Sequence, residues 1–472
     1  MPLSASSPRL PPHSAHIIPM VVAVSLFLEN LDSTVVTTAL PAIAQTMGVS
    51  PVHLSLAITA YILSDTVFLP ASGWVADRLG GRVVFSLAVG VFLAGSILCG
   101  FSTTLPVFVL GRMIQGAGGA MMIPVSRLII LRTTPRESWV EGMTWFTMPA
   151  LIGPIIGPPV GGFFTTYLSW PWIFWINVPI GIAGIVLTWV VIPPMSAVAA
   201  KKPFDLPGFV LSGFALSAFV AGLESVGRNV IPLWGSAAVV GLSLLSAWAY
   251  MKHAGRVRFP LVDPATFRFP VFRLCILAGF GFRIGVGAAP FLLPLMFQIS
   301  FGLNPFHAGL LSCTSALGAF SMKSLVRSLL RRHGFRIVLT ASGVLASVLL
   351  AVNGLFTTTT PQWLIVAILF AGGLARSLHF TALNTLTVAE VGQREMSNAT
   401  TIMQMGMQVA RSLGIATAAL GLWLLGAGSG HVEAILFLPV FAALGLVGGV
   451  SSLSFRTLPP GVASEISGQK RP

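Results

Sequence analysis

Gly73-Trp-Val-Ala-Asp77-Arg78-Leu-Gly80-Gly81-Arg82, followed from Val83 to Ser102 by VVFSLAVGVFLAGSILCGFS, sets the class of this chain. A short turn rich in glycine and arginine gives way to twenty residues without a single charge. Twenty residues of helix rise about 30 Å, the thickness of the hydrocarbon core of a bilayer. Inside lipid only helices and closed barrels satisfy their own backbone. The run lacks the strict alternation of a barrel strand, so a helix crossing the membrane is the expected structure.

The same alternation of apolar run and short loop recurs along all 472 residues, of which 55% are hydrophobic and 8% charged, with a mean hydropathy of +0.88. That is far too little charge to cover a soluble protein of this length. Fourteen spans are expected: roughly 17–40, 52–71, 83–102, 106–131, 140–165, 172–193, 207–225, 234–252, 273–300, 305–328, 336–356, 362–386, 397–426 and 433–455. The first carries Glu29 and Asp32 and has no cleavage signature after it, so it is a retained span rather than a signal peptide. The fold expected is an all-α integral membrane protein. Residues 17–193 form one six-helix bundle and 273–455 a second. Residues 194–272 are a linker with two extra membrane helices, and 1–16 and 456–472 are tails with little structure.

The formal charge of +14 reports orientation. Of 27 Lys and Arg, 21 fall in or beside the even-numbered loops and the two tails, one (Arg228) in the opposite loops, and five within spans. Placing both termini in the cytoplasm of a bacterial inner membrane satisfies the positive-inside rule. The basic loops then face anionic lipid, and no nucleic-acid partner is expected. Cys99, Cys275 and Cys313 have neither zinc nor disulfide spacing and behave as small buried groups. No phosphate-binding loop or catalytic motif such as His-Glu-x-x-His is present, so neither ATP-driven transport nor an intramembrane enzyme is supported, and no cofactor or metal is expected. A channel is disfavoured by two half-chain repeats with ionisable groups at membrane depth. Duplicated halves with a site between them are a standard plan for secondary transport.

Several segments in order resemble the major facilitator superfamily, in particular its fourteen-span drug:proton antiporters of the QacA/EmrB type, and within these the MdtD-like group. They are Leu31-Asp32-Ser33-Thr34 with Ala39-Leu40-Pro41; the Gly73–Arg82 turn; Gly111-Arg112-Met113-Ile114-Gln115-Gly116; Gly153-Pro154-Ile155-Ile156-Gly157 through Gly161-Gly162; Trp172-Ile173-Phe174-Trp175-Ile176-Asn177-Val178-Pro179; and Phe282-Arg283-Ile284-Gly285 with Pro305-Phe306-His307-Ala308-Gly309. The resemblance implies a proton-coupled antiporter exporting small amphipathic compounds or drugs by alternating access, as a monomer. Pro171 stands where the group carries Arg or His, and Glu29, Asp65 and Arg411 stand where it carries uncharged residues.

Physical chemistry assigns roles beside the resemblance. A charged group at membrane depth is costly unless it faces a cavity or a partner. Asp32 and Arg112 are therefore a candidate proton-coupling pair, and Glu29, one turn before Asp32, is a second proton site. Gly73 allows close helix approach, Asp77 caps or pairs, and Arg78 and Arg82 hold the basic face; the resemblance makes this a cytoplasmic gate. Gly153, Gly157 and Gly161 recur every four residues on one helix face, which favours tight packing, while Pro154 bends the helix; with Gly162 they form what the resemblance marks as the antiporter motif. Arg283 and Arg376 suit carboxylate or phosphate and, with Arg127, would favour a dedicated exporter of an organic anion or metal chelate as an alternative. Gln115, Gln298, Asn384, Gln404 and Gln408, with Trp145, Phe282 and Phe291, are further cavity candidates. Asp65 and Arg411 lie at matching depth in spans 2 and 13 and are expected to form an interdomain salt bridge in one conformation only.

Overall fold

The computed structural model describes residues 14–49, 51–195, 203–228, 232–303, 305–425 and 436–469. Lys201 and Lys202 lie outside these ranges, as do residues 1–13 of the amino-terminal tail.

Every expected span is helical: α1 (Val24–Met47), α2 (Pro51–Phe68), α3 (Gly81–Phe101), α4 (Leu105–Thr133), α5 (Gly153–Tyr167), α6 (Asn177–Val191), α7 (Leu206–Arg228), α8 (Leu233–Ala254), α9 (Pro270–Gly287), α10 (Pro305–Met322), α11 (Val326–Val352), α12 (Gln362–Thr387), α13 (Met396–Leu424) and α14 (Phe437–Leu453). Shorter helices extend α1 (Ser14–Val22), α2 (Ser72–Leu79), α5 (Trp139–Thr147), α6 (Trp172–Trp175) and α9 (Ala289–Ile299). Among the described residues, eleven helical stretches are long and apolar enough to cross a membrane. The regions of α5, α10 and α13 are not among them, so the expectation of fourteen crossings is met for eleven by length and composition. The reasons are local. A 3₁₀ turn at Pro149–Leu151 divides the fifth region. The helix α10 opens on Pro305-Phe306-His307 and carries Ser312, Thr314, Ser315 and Ser321, which lowers its apolarity. And α13 carries Ser397, Asn398, Thr400, Thr401, Gln404, Gln408 and Arg411.

The pairing of helices repeats. In the first half α2 packs on α4, α3 on α4 and α6, and α1 on α5. In the second half α10 packs on α12, α11 on α12 and α14, and α9 on α13. Each contact recurs eight helices later, as a duplicated six-helix unit requires. Because lipid is as apolar as leucine, such packing rests on close approach rather than on water exclusion. At Gly118, for example, a Cβ would lie 2.6 Å from the Phe92 amide nitrogen and 2.7 Å from the Ala88 carbonyl, so α3 and α4 can touch only with glycine there. The pair α7–α8 is no passive spacer: α7 packs against both α2 and α13 and so straddles the two halves.

The carboxy-terminal segment corrects one expectation. Residues from Phe455 to Gln469 are not a loose tail. Phe455, Leu458 and Ile466 are buried in the main apolar cluster, with Val462 and Ala463 packed on it. The short turn Ser464–Ser467 lies against both Arg136–Ser138 of the first half and α11 of the second. Few apolar residues achieve this, which is why composition does not reveal it.

Candidate functional site

The most enclosed polar group is built on four helices of the first half. Arg112 on α4 donates through Nη1 to Asp32 Oδ2 on α1 at 2.5 Å and to Gln115 Oε1 at 2.8 Å. Gln115 Nε2 donates to Asp32 Oδ1 (3.1 Å) and Ser96 Oγ (2.6 Å), and Asn177 Nδ2 reaches the same two atoms at 3.3 and 3.4 Å. The Arg112 guanidinium also lies 4.4 Å from the centre of the Tyr61 ring. Asp32 is 1% exposed and Arg112 2%. A carboxylate so deep needs a cation and further donors, and here it has both. Arg112 and Gln115 are one turn apart on α4, which brings both to the same carboxylate. Tyr61 Oη, Asn177 Oδ1 and Arg112 Nε are buried without a hydrogen-bond partner among the described residues, so the cluster has spare capacity for water or a transferred proton.

A second set of charges lies nearby. Glu29 is within electrostatic reach of Asp65, Arg411, Arg127 and Asp32. Arg411 is the cation that acts on Asp65. No ion pair within 4.0 Å joins Asp65 to Arg411 among the described residues in this conformation. The Asp65 carboxylate instead lies against the α4 backbone at Gly119, where a Cβ would stand 3.6 Å from its Oδ1. One Glu29 oxygen is buried without a partner.

Hydrogen bonds between the halves gather at the basic-loop end. Asp77 accepts from Arg132 Nη2 (2.9 Å) and from Ser397 Oγ of α13 (2.6 Å). Ser72 and Thr401 hydroxyls are 3.0 Å apart. Arg132 Nη2 donates to the Gln393 carbonyl (3.3 Å), and Gln393 Nε2 to the Leu131 carbonyl (3.3 Å). Lys323 Nζ donates to Thr147 Oγ1 of the first half (2.6 Å) and Thr381 Oγ1 of the second (3.0 Å). Arg327 reaches Glu141 at 2.8 Å. Deeper, Arg127 Nη1 donates to Gln404 Oε1 (2.8 Å). This face is closed. Of the four expected gate residues, Gly73 and Asp77 touch the opposite half. Arg78 stacks on Trp74, and Arg82 donates to the Ile192 and Trp189 carbonyls within its own half. Asp77's cation is Arg132, from the last turn of α4.

The remaining expected residues divide. Gly153 and Gly157 do pack α5 on α1: a Cβ at Gly153 would meet Asn30 Cβ at 2.9 Å, and one at Gly157 would meet Thr34 Cβ at 2.7 Å. Gly161 is buried on the same helix, Gly162 faces open space, and the Pro154 side chain lies outside the described residues. Arg283 donates to Asn384 Oδ1 (3.1 Å), and Gln408 is buried. Arg376 donates to Ser315 Oγ (2.9 Å) and lines a cavity of about 30 Å³ walled by α9, α10, α11 and α12. It thus sits inside the second half rather than on the wall between halves. Phe282, expected at a cavity, is fully buried with its ring centre 3.8 Å from that of His379. Gln298 is exposed at the end away from the basic loops. Sequence reasoning missed Ser96, Asn177 and Lys323. Asn177 had a signal, standing within the Trp172–Pro179 motif; a lone serine in an apolar helix has none.

Two six-helix units closed against each other at one face, with ionisable groups held between and beside them, define a secondary transporter. A family model described as Major Facilitator Superfamily matches residues 22–415, and the chain belongs to that superfamily. Among curated relatives, "Putative multidrug resistance protein MdtD" of Pectobacterium atrosepticum is 35% identical over 445 residues, covering 93% of this chain and 95% of that protein. The protein of the same name from Escherichia coli O6:H1 is 38% identical over 417 residues, covering 88% and 87%. Among solved structures, the human organic anion transporter MFSD10 (TETRAN) superposes with a TM-score of 0.70 at 15% identity, covering 94% of this chain and all of that one. The proton:xylose symporter XylE gives 0.64 at 13% identity, covering 96% and 98%. These two likenesses concern the fold. The chain is a multi-pass membrane transporter and not an enzyme.

Proposed function

We propose that this chain is a proton-coupled antiporter that exports small amphipathic compounds or drugs by alternating access. It works as a monomer in a bacterial inner membrane, crossing it fourteen times with both termini and the basic loops in the cytoplasm. The observation that carries the reading is the buried Asp32–Arg112–Gln115 cluster, adjoining Glu29 and Asp65, in a bundle closed at its basic face.

The charges are divided unequally. Glu29, Asp32 and Asp65 all belong to the first half, whereas α9–α14 contain Arg283, Arg376 and Arg411 but no Asp or Glu. Ionised Glu29 and Asp65 attract Arg411 across the interface; protonation removes that attraction. A proton thereby changes which arrangement of the halves is favoured, and Asp65–Arg411 is the pair that closes in one of them. A proton arriving on Asp32 frees Arg112 and Gln115 from it, and re-formation of the pair releases that proton. On this reading Gly73 and Asp77, with Arg132, are the cytoplasmic gate, Arg78 and Arg82 brace it, and Gln408 and Asn384 border the substrate path. A dedicated exporter of an organic anion or chelate has less support, since Arg283, Arg376 and Arg127 each already bond a neutral side chain.

The test uses purified protein in liposomes carrying a pH gradient and an internal pH dye. Lipophilic cations added to the wild type should dissipate the gradient, and Asp32→Asn should not respond. A response only to organic anions, or none in the wild type, would overturn the proposal.

A further inference from the structure

The outer surface of the second half carries a groove that export does not require. It runs between α11 and α14, has a volume of about 500 Å³, and is lined by Ile337, Thr340, Ala341, Val344, Leu345, Val348 and Leu453, with Arg336 and Arg456 at one end. Its walls are open to the surroundings: Ile337 is 57% exposed, Leu345 52% and Val348 52%. Both arginines sit at the basic-loop end, and neither guanidinium has a hydrogen-bond or ion-pair partner among the described residues.

We propose that this groove binds one acyl chain of an anionic membrane phospholipid, whose phosphate is held by Arg336 and Arg456. Three features of the groove point to that occupant. The groove is apolar along its length and lies on a helix face turned to the membrane, where lipid is the solvent. From Arg336 to Val348 the helix rises about 18 Å, close to the ~15 Å depth of one leaflet, so a chain anchored at the arginines ends near the midplane. Two unpaired guanidiniums closing the same groove complement a phosphate, which they can bind bidentately. Scattered arginines set orientation alone; here two from different helices converge on one chain-sized channel.

The experiment is lipid binding by native mass spectrometry on the full chain in neutral detergent. Phosphatidylglycerol and phosphatidylcholine of identical chains are compared, with inorganic phosphate as a competitor. Phosphatidylglycerol should bind roughly tenfold more tightly, as expected for two basic residues at a headgroup, and phosphate should compete poorly because it lacks the chain. Arg336→Gln with Arg456→Gln should abolish the preference while leaving export intact. Ala341→Phe, which fills the groove at an exposed position, should weaken both lipids. Equal binding of the two lipids to the wild type, a preference surviving the double arginine variant, or unweakened binding of both lipids to Ala341→Phe would overturn the site. Full displacement by phosphate would show the arginines to be a simple anion site with no role for the groove.

Discussion

Gly73→Ala is the sharpest perturbation of the closed face. A methyl group at this position would lie 2.9 Å from Thr401 Oγ1 and 3.2 Å from the Ser397 carbonyl oxygen, both on the opposite half. Thr401 cannot simply turn away. Its hydroxyl donates to the Ser397 carbonyl at 3.0 Å and pairs with Ser72 at 3.0 Å, so yielding breaks both bonds. Forcing an extra carbon into a packed contact costs about 1–3 kcal/mol. That cost falls only on the conformation in which the halves meet here. The closed population should therefore drop relative to the open one by roughly 5- to 150-fold. Spin labels at Leu79→Cys and Arg394→Cys, in a background with Cys99, Cys275 and Cys313 replaced, report the separation of the halves by double electron–electron resonance. The Gly73→Ala protein should gain a long-distance component. Adding Thr401→Ala, which removes the obstructing oxygen, should restore part of the short-distance population. Unchanged distances in Gly73→Ala, or no recovery in the double variant, would refute the view that this contact holds the face shut.

Removing one partner of the buried cluster should be costly. Arg112→Ala leaves the Asp32 carboxylate without its cation, a loss of about 3–5 kcal/mol, read as a lower unfolding midpoint of the purified protein; Asp32→Ala with Arg112→Ala should recover much of it. Asp65→Asn and Arg411→Gln should each impair export, and exchanging the two charges should restore part of it; purely additive defects would argue against the pair. Lys323→Met deletes the charge-assisted bond to Thr147 across the basic face and a second to Thr381 within its own half, each contributing about 1.5–3 kcal/mol, and should open the labelled pair further than Lys323→Arg.

The fold is legible in the sequence because a bilayer imposes length and apolarity on each span, and those survive in a single chain. The three regions that fall short, α5, α10 and α13, do so for local reasons: a proline-rich bend, a helix diluted by serine, threonine and histidine, and polar residues several of which bond the opposite half. The Asp32–Arg112 pair is also legible, since charge inside an apolar run is conspicuous. Its neutral supports are not. Ser96 and Asn177 resemble any polar residue that bonds a neighbouring helix, and only the fold brings them to Asp32. The partner of Asp77 was hidden for a different reason. Three arginines are within reach of that turn, and the packing of α4 against it brings Arg132, 55 residues away, to the carboxylate rather than the adjacent Arg78. Arg376 shows a different limit: a place inside an apolar span does not say which side of the helix faces the path.

The carboxy-terminal segment that bridges the halves has a consequence for how the molecule is made. Its contact in the first half, Arg136–Ser138, leaves the ribosome some 330 residues before Ile466 does. At about 5–20 residues per second, roughly 15–65 s pass between the two. During that interval the first bundle is made while the turn at Arg136–Ser138 still lacks its partner, residues 464–467. This contact between the halves therefore forms late in synthesis, after α1–α6 and α9–α14 have all been made.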